Sequence, residues 1–300
     1  MNVGLIDVDS HNFPNLALMK ISAYHKELGD SVEWWNGFMH YDKVYISKVF
    51  DETYTQDIDT CINADEIIKG GTGYNLSNKL PDEIEHHYPD YSLYGISNTA
   101  YGFLTRGCPR GCGFCIVAEK EGRKSVQVAE LGEFWNGQKN IILLDPNLTA
   151  CKDSEKLFND LIKTKTDIEF TQGLDIRCMT DKNAEQLNQL KLKILHFAWD
   201  NYEFNTYEKL KYFRSKLNYD SRKLKVYVLT NFNTTHEQDL ERIYKLRELD
   251  YDPYVMIYNK PYAKKETKRM ARWVNNKFIW RSCERFEDYG KENCNERNKI

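Results

Sequence analysis

The chain has 300 residues, of which 41% are hydrophobic and 29% charged, with a formal net charge of −3. That composition is ordinary for a globular chain of one large or two smaller domains, and so balanced a charge gives no strong nonspecific field for nucleic acid. No apolar run reaches the roughly eighteen residues a membrane span needs, and the N-terminus lacks the basic-then-apolar pattern of a signal peptide.

The first segment reads as a small open sheet. Val3 to Ile6 is a short apolar run that stops at Asp7-Val8-Asp9-Ser10-His11. A helix follows, with Leu18, Ile21, His25 and Leu28 at helical spacing and Gly29-Asp30 closing it. Val32 to Trp35, Lys43 to Phe50 and Ala64 to Lys69 read as three further strands, the last running into Gly70-Gly71-Thr72-Gly73. Strand, helix and three strands predict a Rossmann-like open α/β unit over residues 1–96. Leu80 to Pro89 predicts a short helix between prolines, followed by a linker.

From residue 97 to 283 apolar strands alternate with helical segments. The strands are Gly102 to Thr105, Asn140 to Leu144, Asp167 to Phe170, Lys193 to Trp199, Leu224 to Thr230 and Pro253 to Tyr258. The helices are expected at 125–136, 153–164, 181–191, 204–215, 235–248 and 264–275. Six such units predict a parallel sheet curled into a partial (β/α)6 TIM-type barrel, an α/β fold. Residues 284–300 read as a polar tail that frays. The basic run of the last helix, Lys264 to Arg272, reads as a solvated outer face.

Chemistry in α/β barrels collects at the C-terminal strand ends. Here those ends carry the cysteine loop, Asp145-Pro146-Asn147, Gln172 to Arg177, Asp200-Asn201, Asn231 to Asn233 and Asn259-Lys260. The cysteine loop is the most specific of them: Arg106-Gly107-Cys108-Pro109-Arg110-Gly111-Cys112-Gly113-Phe114-Cys115. Cys108, Cys112 and Cys115 stand at C-x3-C-x2-C, while the other five of the eight cysteines scatter. Thiolates bind soft metals and iron–sulfur clusters. A structural zinc site takes four ligands, and no second cysteine pair supplies the fourth. Three thiolates hold three irons of a cubane and leave one iron open. This cysteine usage points to a reducing cytoplasm rather than a disulfide scaffold.

The spacing, with an aromatic residue before the last cysteine, resembles the signature of the radical S-adenosylmethionine (SAM) superfamily. The resemblance implies a [4Fe–4S] cluster on Cys108, Cys112 and Cys115, whose open iron chelates SAM. It implies reductive cleavage of SAM to a 5'-deoxyadenosyl radical, on a substrate the sequence does not name. It also implies an electron donor such as flavodoxin or ferredoxin. Asp145 matches the family's acceptor for the SAM ammonium, although the usual Gly-Gly-Glu is absent, and Arg177 would pair with the carboxylate. Gln172, Asp200 or Asn201 would take the ribose, and Phe114 would flank adenine.

Asp9 to Pro14, then Ser47-Lys48-Val49, then Gly70-Gly71 follow an order similar to a cobalamin-binding pattern, in which His11 would ligate cobalt and Asp9 orient it. Pro14 and Val49 depart from that pattern and both intervals are short, so no tightly held cobalamin is expected. The two-domain order is also similar to tRNA methylthiotransferases, but their N-terminal cysteine trio is reduced here to Cys61. A cobalamin-dependent methyltransferase and a non-catalytic iron–sulfur protein are the alternative functions.

Overall fold

The computed structural model describes all residues except Asn12, Thr60, Phe204 and 292–300. Strand β1 (Asn2–Asp7), helix α1 (Leu16–Glu27) and strands β2 (Ser31–Trp34), β3 (Tyr41–Ser47) and β4 (Ala64–Gly70) form the first unit. Its sheet is parallel throughout, in the order β2-β1-β3-β4. The side-chain alternation of β3 divides two cores. Val3, Leu5, Leu18 and Ile21 pack on the α1 side, with Tyr45. Tyr41, Val44 and Ile46 pack on the other, with Trp35, Ile58 and Tyr74. Asn15 starts α1 by accepting the Leu18 amide, as an N-cap should.

A short helix, α2 (Asp82–Glu85), and a 3-10 turn (Tyr91–Tyr94) lead onward, so the expected linker is a packed turn. Tyr94 donates to Asp7 at 2.6 Å, and the Asp90 amide donates to the Met19 carbonyl oxygen. Met19 itself sits in the larger hydrophobic core, so the first unit and the rest of the chain share packing.

The second region holds β5 (Thr99–Gly102), β6 (Thr105–Arg106), α3 (Val117–Lys120), β7 (Val126–Gln127), β8 (Asn140–Leu143), α4 (Ser154–Thr164), β9 (Asp167–Phe170), α5 (Asp181–Leu187), β10 (Lys191–Leu192), β11 (Leu195–Ala198), α6 (Thr206–Arg214), β12 (Leu224–Thr230), α7 (His236–Glu248), β13 (Asp252–Ile257), α8 (Lys265–Asn275) and α9 (Lys277–Ser282). Two parallel sheets carry it, in the orders β10-β9-β8-β5 and β11-β12-β13. The parallel α/β class agrees with the sequence reading. Among the described residues no closed barrel forms, and the two sheets do not join into one hydrogen-bonded ladder. The fourth strand breaks at Lys193-Ile194, so β10 pairs with β9 and β11 with β12. One hydrogen bond bridges the break, from the Leu174 amide to the His196 carbonyl oxygen at 2.8 Å. Gly173 makes this approach possible, with φ 79° and a Cβ position only 3.0 Å from that oxygen.

Three further expectations fail locally. The segment 125–136 is not a helix but β7 and a 3-10 turn at Leu131–Glu133. Its Val126 and Gln127 pair antiparallel with Arg106 and Thr105, and the Val128 amide bonds the Leu104 carbonyl oxygen. These bonds to the cysteine loop outcompete helix propensity. The first strand also ends earlier than expected, at Gly102, because the next amides turn toward Asp145. In the tail, Phe286 is buried against Trp273 and Trp280 rather than frayed, and the remainder, 292–300, lies outside the described residues. Helix α8 buries Met270, Trp273 and Val274 and turns its basic residues outward, as its spacing predicts.

Candidate active site at the strand ends

Past β6 the chain enters the cysteine loop. Its base is fixed by backbone contacts. The Cys108 amide donates to the Gly122 carbonyl oxygen at 3.0 Å, and the Cys115 amide to that of Cys112 at 3.0 Å. Gly107, at φ 88°, passes so close to the Lys124 carbonyl that any Cβ would collide with it. Arg106 pairs with Glu121 at 2.8 Å and lies over the Phe103 ring.

The loop reaches across the mouth to the later strand ends. Phe114 meets Phe232, which follows β12, edge to face at 5.4 Å, and Phe232 meets Tyr258, which follows β13, at 5.0 Å. The Asn231 side-chain amide donates to the Tyr258 carbonyl oxygen at 2.8 Å. An aromatic wall therefore links the loop to the fifth and sixth strand ends.

Among the described residues no three His, Cys, Asp or Glu side chains converge as a site for one metal ion. A cubane does not ask for that, because its thiolates bind separate irons and stand apart around the cube. The donor set fits such a group. Burial pushes the Cys112 thiol up, and Cys115, Asp200 and Cys108 add to the push while Arg177 opposes it. The three sulfurs thus share one electrostatic site, and bound cationic iron would reverse its balance.

Asp175 is the hub of the third strand end. Its side chain is 8% exposed and takes Arg177 as a fork, at 2.7 and 3.1 Å, and the Arg110 Nε at 2.6 Å. Burial works against its charge, but Arg177 and Arg110 outweigh burial and hold the carboxyl below its usual range. Arg110 also donates to the Cys178 sulfur at 2.9 Å. Asp200, at the end of β11, has the opposite balance: burial lifts it to about 6, although Arg242 and Arg177 oppose.

Asp145 is 4% exposed. Its Oδ1 accepts the Thr105 amide at 2.5 Å and the Thr105 hydroxyl at 2.6 Å, and its Oδ2 accepts the Leu104 amide at 3.2 Å. It ties the second strand end to the approach of the cysteine loop, and burial raises it to about 6. Gln172 is exposed at the mouth. Asn201 folds back, its side-chain oxygen accepting the Glu203 amide at 2.9 Å. The structure therefore brings Cys108, Cys112, Cys115, Phe114, Arg177 and Asp200 to one rim, and holds Asp145 beneath it.

Residues on the sheet face away from the helices escaped the sequence reading. Leu195, Phe197, Val226 and Val228 enter the helix-covered core, so His196 and Tyr227 alternate to the other face. His196 stacks on Tyr227 at 4.9 Å with 3° between the rings. Burial raises the Tyr101 and Tyr227 phenols, and Glu169 adds to both. Glu169 between Ile168 and Phe170 in the strand Asp167–Phe170 was the available signal. Phe13 from the first unit packs edge to face on Tyr101 at 5.3 Å, which brings that ring over this region.

At the edge of the first sheet the three cobalamin-like segments do meet. The Gly73 amide donates to the Lys48 carbonyl oxygen at 2.9 Å. Both Asp9 oxygens are taken by the amides of Val49 and Phe50, each at 2.8 Å, and His11 is exposed with φ 39°.

No family model matches the chain. A CDK5RAP1-like protein of Oryza sativa subsp. japonica is 31% identical over 141 residues, which is 43% of this chain and 22% of that protein. The chain thus spans 22% of the length of this relative. No helix of the described residues is long and apolar enough to cross a membrane.

Proposed function

We propose that the chain is a radical SAM enzyme, with Cys108, Cys112 and Cys115 holding a [4Fe–4S] cluster. The carrying observation is the cysteine loop itself, set at the strand ends beside Arg177 and Asp200 and walled by Phe114 and Phe232. The CDK5RAP1-like relative, which we take for a radical SAM protein, supports the class and nothing finer. A bound, reduced cluster would supply the electron for reductive cleavage of SAM. The chain's own residues bind and orient. Arg177, its Nε and Nη2 forked on Asp175, brings a fixed positive charge to the rim for an incoming carboxylate to meet. Asp200 is the rim carboxylate for an ammonium group, since both Asp145 oxygens already accept bonds. Phe114, Phe232 and Tyr258 form the face for adenine, with Gln172 and Asn201 near enough in the chain order of the rim to serve the ribose. A small electron-transfer protein would supply the reductant. We assign no cobalamin role to the first unit, because Asp9 gives both oxygens to backbone amides and none to His11.

Anaerobic reconstitution tests the reading. About four irons per chain are expected from the cluster's thiolate ligation, with SAM and dithionite giving 5'-deoxyadenosine. The variant with Cys108, Cys112 and Cys115 all changed to Ala should lose the brown chromophore. A full cluster in that variant, or stoichiometric zinc in the native protein, would defeat the assignment.

A further inference from the structure

We propose that Asn147 is a positioning residue that donates a hydrogen bond to the Cys108 sulfur and thereby sets the reduction potential of the cluster held there. The inference rests on the radical SAM reading and adds to it a residue outside the cysteine motif.

Asn147 is 2% exposed and fully engaged. Its side-chain oxygen caps the 3-10 turn Leu148–Ala150, accepting the Ala150 amide at 3.2 Å and the Thr149 hydroxyl at 3.2 Å. Its carbonyl oxygen accepts the Ser125 hydroxyl at 2.8 Å. The side-chain nitrogen then faces two acceptors, the Cys108 sulfur at 3.3 Å and Asp175 Oδ2 at 3.3 Å. Chemistry fixes this orientation. The Ala150 amide can only donate, and a carboxylate can only accept. Asp175 is held ionised by its two arginines, so a flipped Asn147 amide would set oxygen against a carboxylate and NH2 against an amide.

A donor locked on a ligating sulfur draws electron density from it. It therefore favours the more negative, reduced cluster and raises the potential. The sulfur contact comes from a side chain with no freedom to turn away, since three partners other than Cys108 hold it, Ala150, Thr149 and Asp175, while Ser125 fixes the backbone beneath it.

The test compares redox titrations, read by electron paramagnetic resonance, of anaerobically reconstituted wild type, Asn147→Ala, Asn147→Asp and Ser125→Ala. Asn147→Asp keeps the capping oxygen and replaces the donor with an acceptor. Ser125→Ala loosens the same segment without touching the sulfur. Iron content should be unchanged in all. Asn147→Ala should shift the reduced-to-oxidised ratio at fixed potential at least about tenfold toward oxidised, about 59 mV for one electron. Asn147→Asp should shift it further the same way, and Ser125→Ala should leave it in place. Equal potentials in wild type and both Asn147 variants overturn the inference. So does a Ser125→Ala shift as large as that of Asn147→Ala, which would make the role structural. Folded Asn147 variants that hold no iron also overturn it, since Asn147 would then be needed for loading rather than tuning. A wild type that takes up no cluster overturns the radical SAM reading itself, a result distinct from all of these.

Discussion

Asp145 should make the protein less stable as pH rises from about 4 to about 6. Burial raises its carboxyl from 3.8 to about 6, against the pull of the Thr105 and Leu104 bonds. The folded state then binds the proton more tightly than the unfolded chain does, so unfolding releases a proton in this window. The associated stability is fully present below pH 3.8 and is lost as pH climbs through about 6. At 1.36 kcal/mol for each tenfold in proton affinity, the loss is about 3 kcal/mol. Asp145→Asn removes the ionisation while keeping the shape. It leaves an NH2 facing the Leu104 amide, a constant penalty of about 1–3 kcal/mol for a buried unsatisfied donor. Urea unfolding of both proteins from pH 4 to 7.5 isolates the effect, because all other groups are shared. The variant's stability relative to wild type should improve by about 2 kcal/mol across that range, since part of the effect is already gone at pH 4. A difference that stays flat, or one that moves the other way, would refute the claim that burial dominates at this carboxylate.

Other outcomes test the rim and its support. Arg242 is fully buried and donates to the Trp199 carbonyl oxygen at a very short distance, to that of Leu229 at 2.7 Å and to Asp239 at 2.5 Å. Arg242→Met should cost about 3–5 kcal/mol in urea unfolding, since it strands a buried acid; a cost near zero would mean that Asp239 finds other partners. Arg177→Ala and Asp200→Ala should each weaken SAM binding by about 1–3 kcal/mol, roughly ten- to a hundredfold, with iron content intact. Unchanged affinity in both, by equilibrium dialysis, would move the SAM contacts elsewhere on the rim.

Periodicity made the parallel strands legible, because their inward residues are apolar in strict alternation and the polar break after each one is abrupt. The cysteine loop stood out by its spacing, and the structure sets it at the strand ends near Arg177 and Asp200. The failures share a physical origin in long-range backbone bonding. Segment 125–136 has helix-compatible composition, yet its Val126–Val128 amides and carbonyls are claimed by Leu104 to Arg106. The break in the fourth strand depends on Gly173 meeting the His196 carbonyl, which no local pattern announces. Asp145 was visible as a strand-end acid, but which amides turn toward it is set by the loop that follows a different strand. Asn147, two residues on, carried no signal beyond a turn preference, since its partners come from residues 108, 125 and 175.

Three acids near one rim are treated in three ways, and the difference says what the rim can hold. Asp175 is ionised because two guanidinium groups lie on it, so it neutralises part of their charge and fixes their planes. Asp200 is half-buried, and desolvation lifts it to about 6 against the pull of Arg242, the Leu229 backbone and Arg177, so it is half-ionised at mildly acidic pH. Asp145 has only neutral donors, which orient it without repaying the loss of water. Two arginines against one firmly charged acid leave the loop side of the rim positive. For the zwitterionic amino-acid head proposed above, Asp200 would supply the separate negative point.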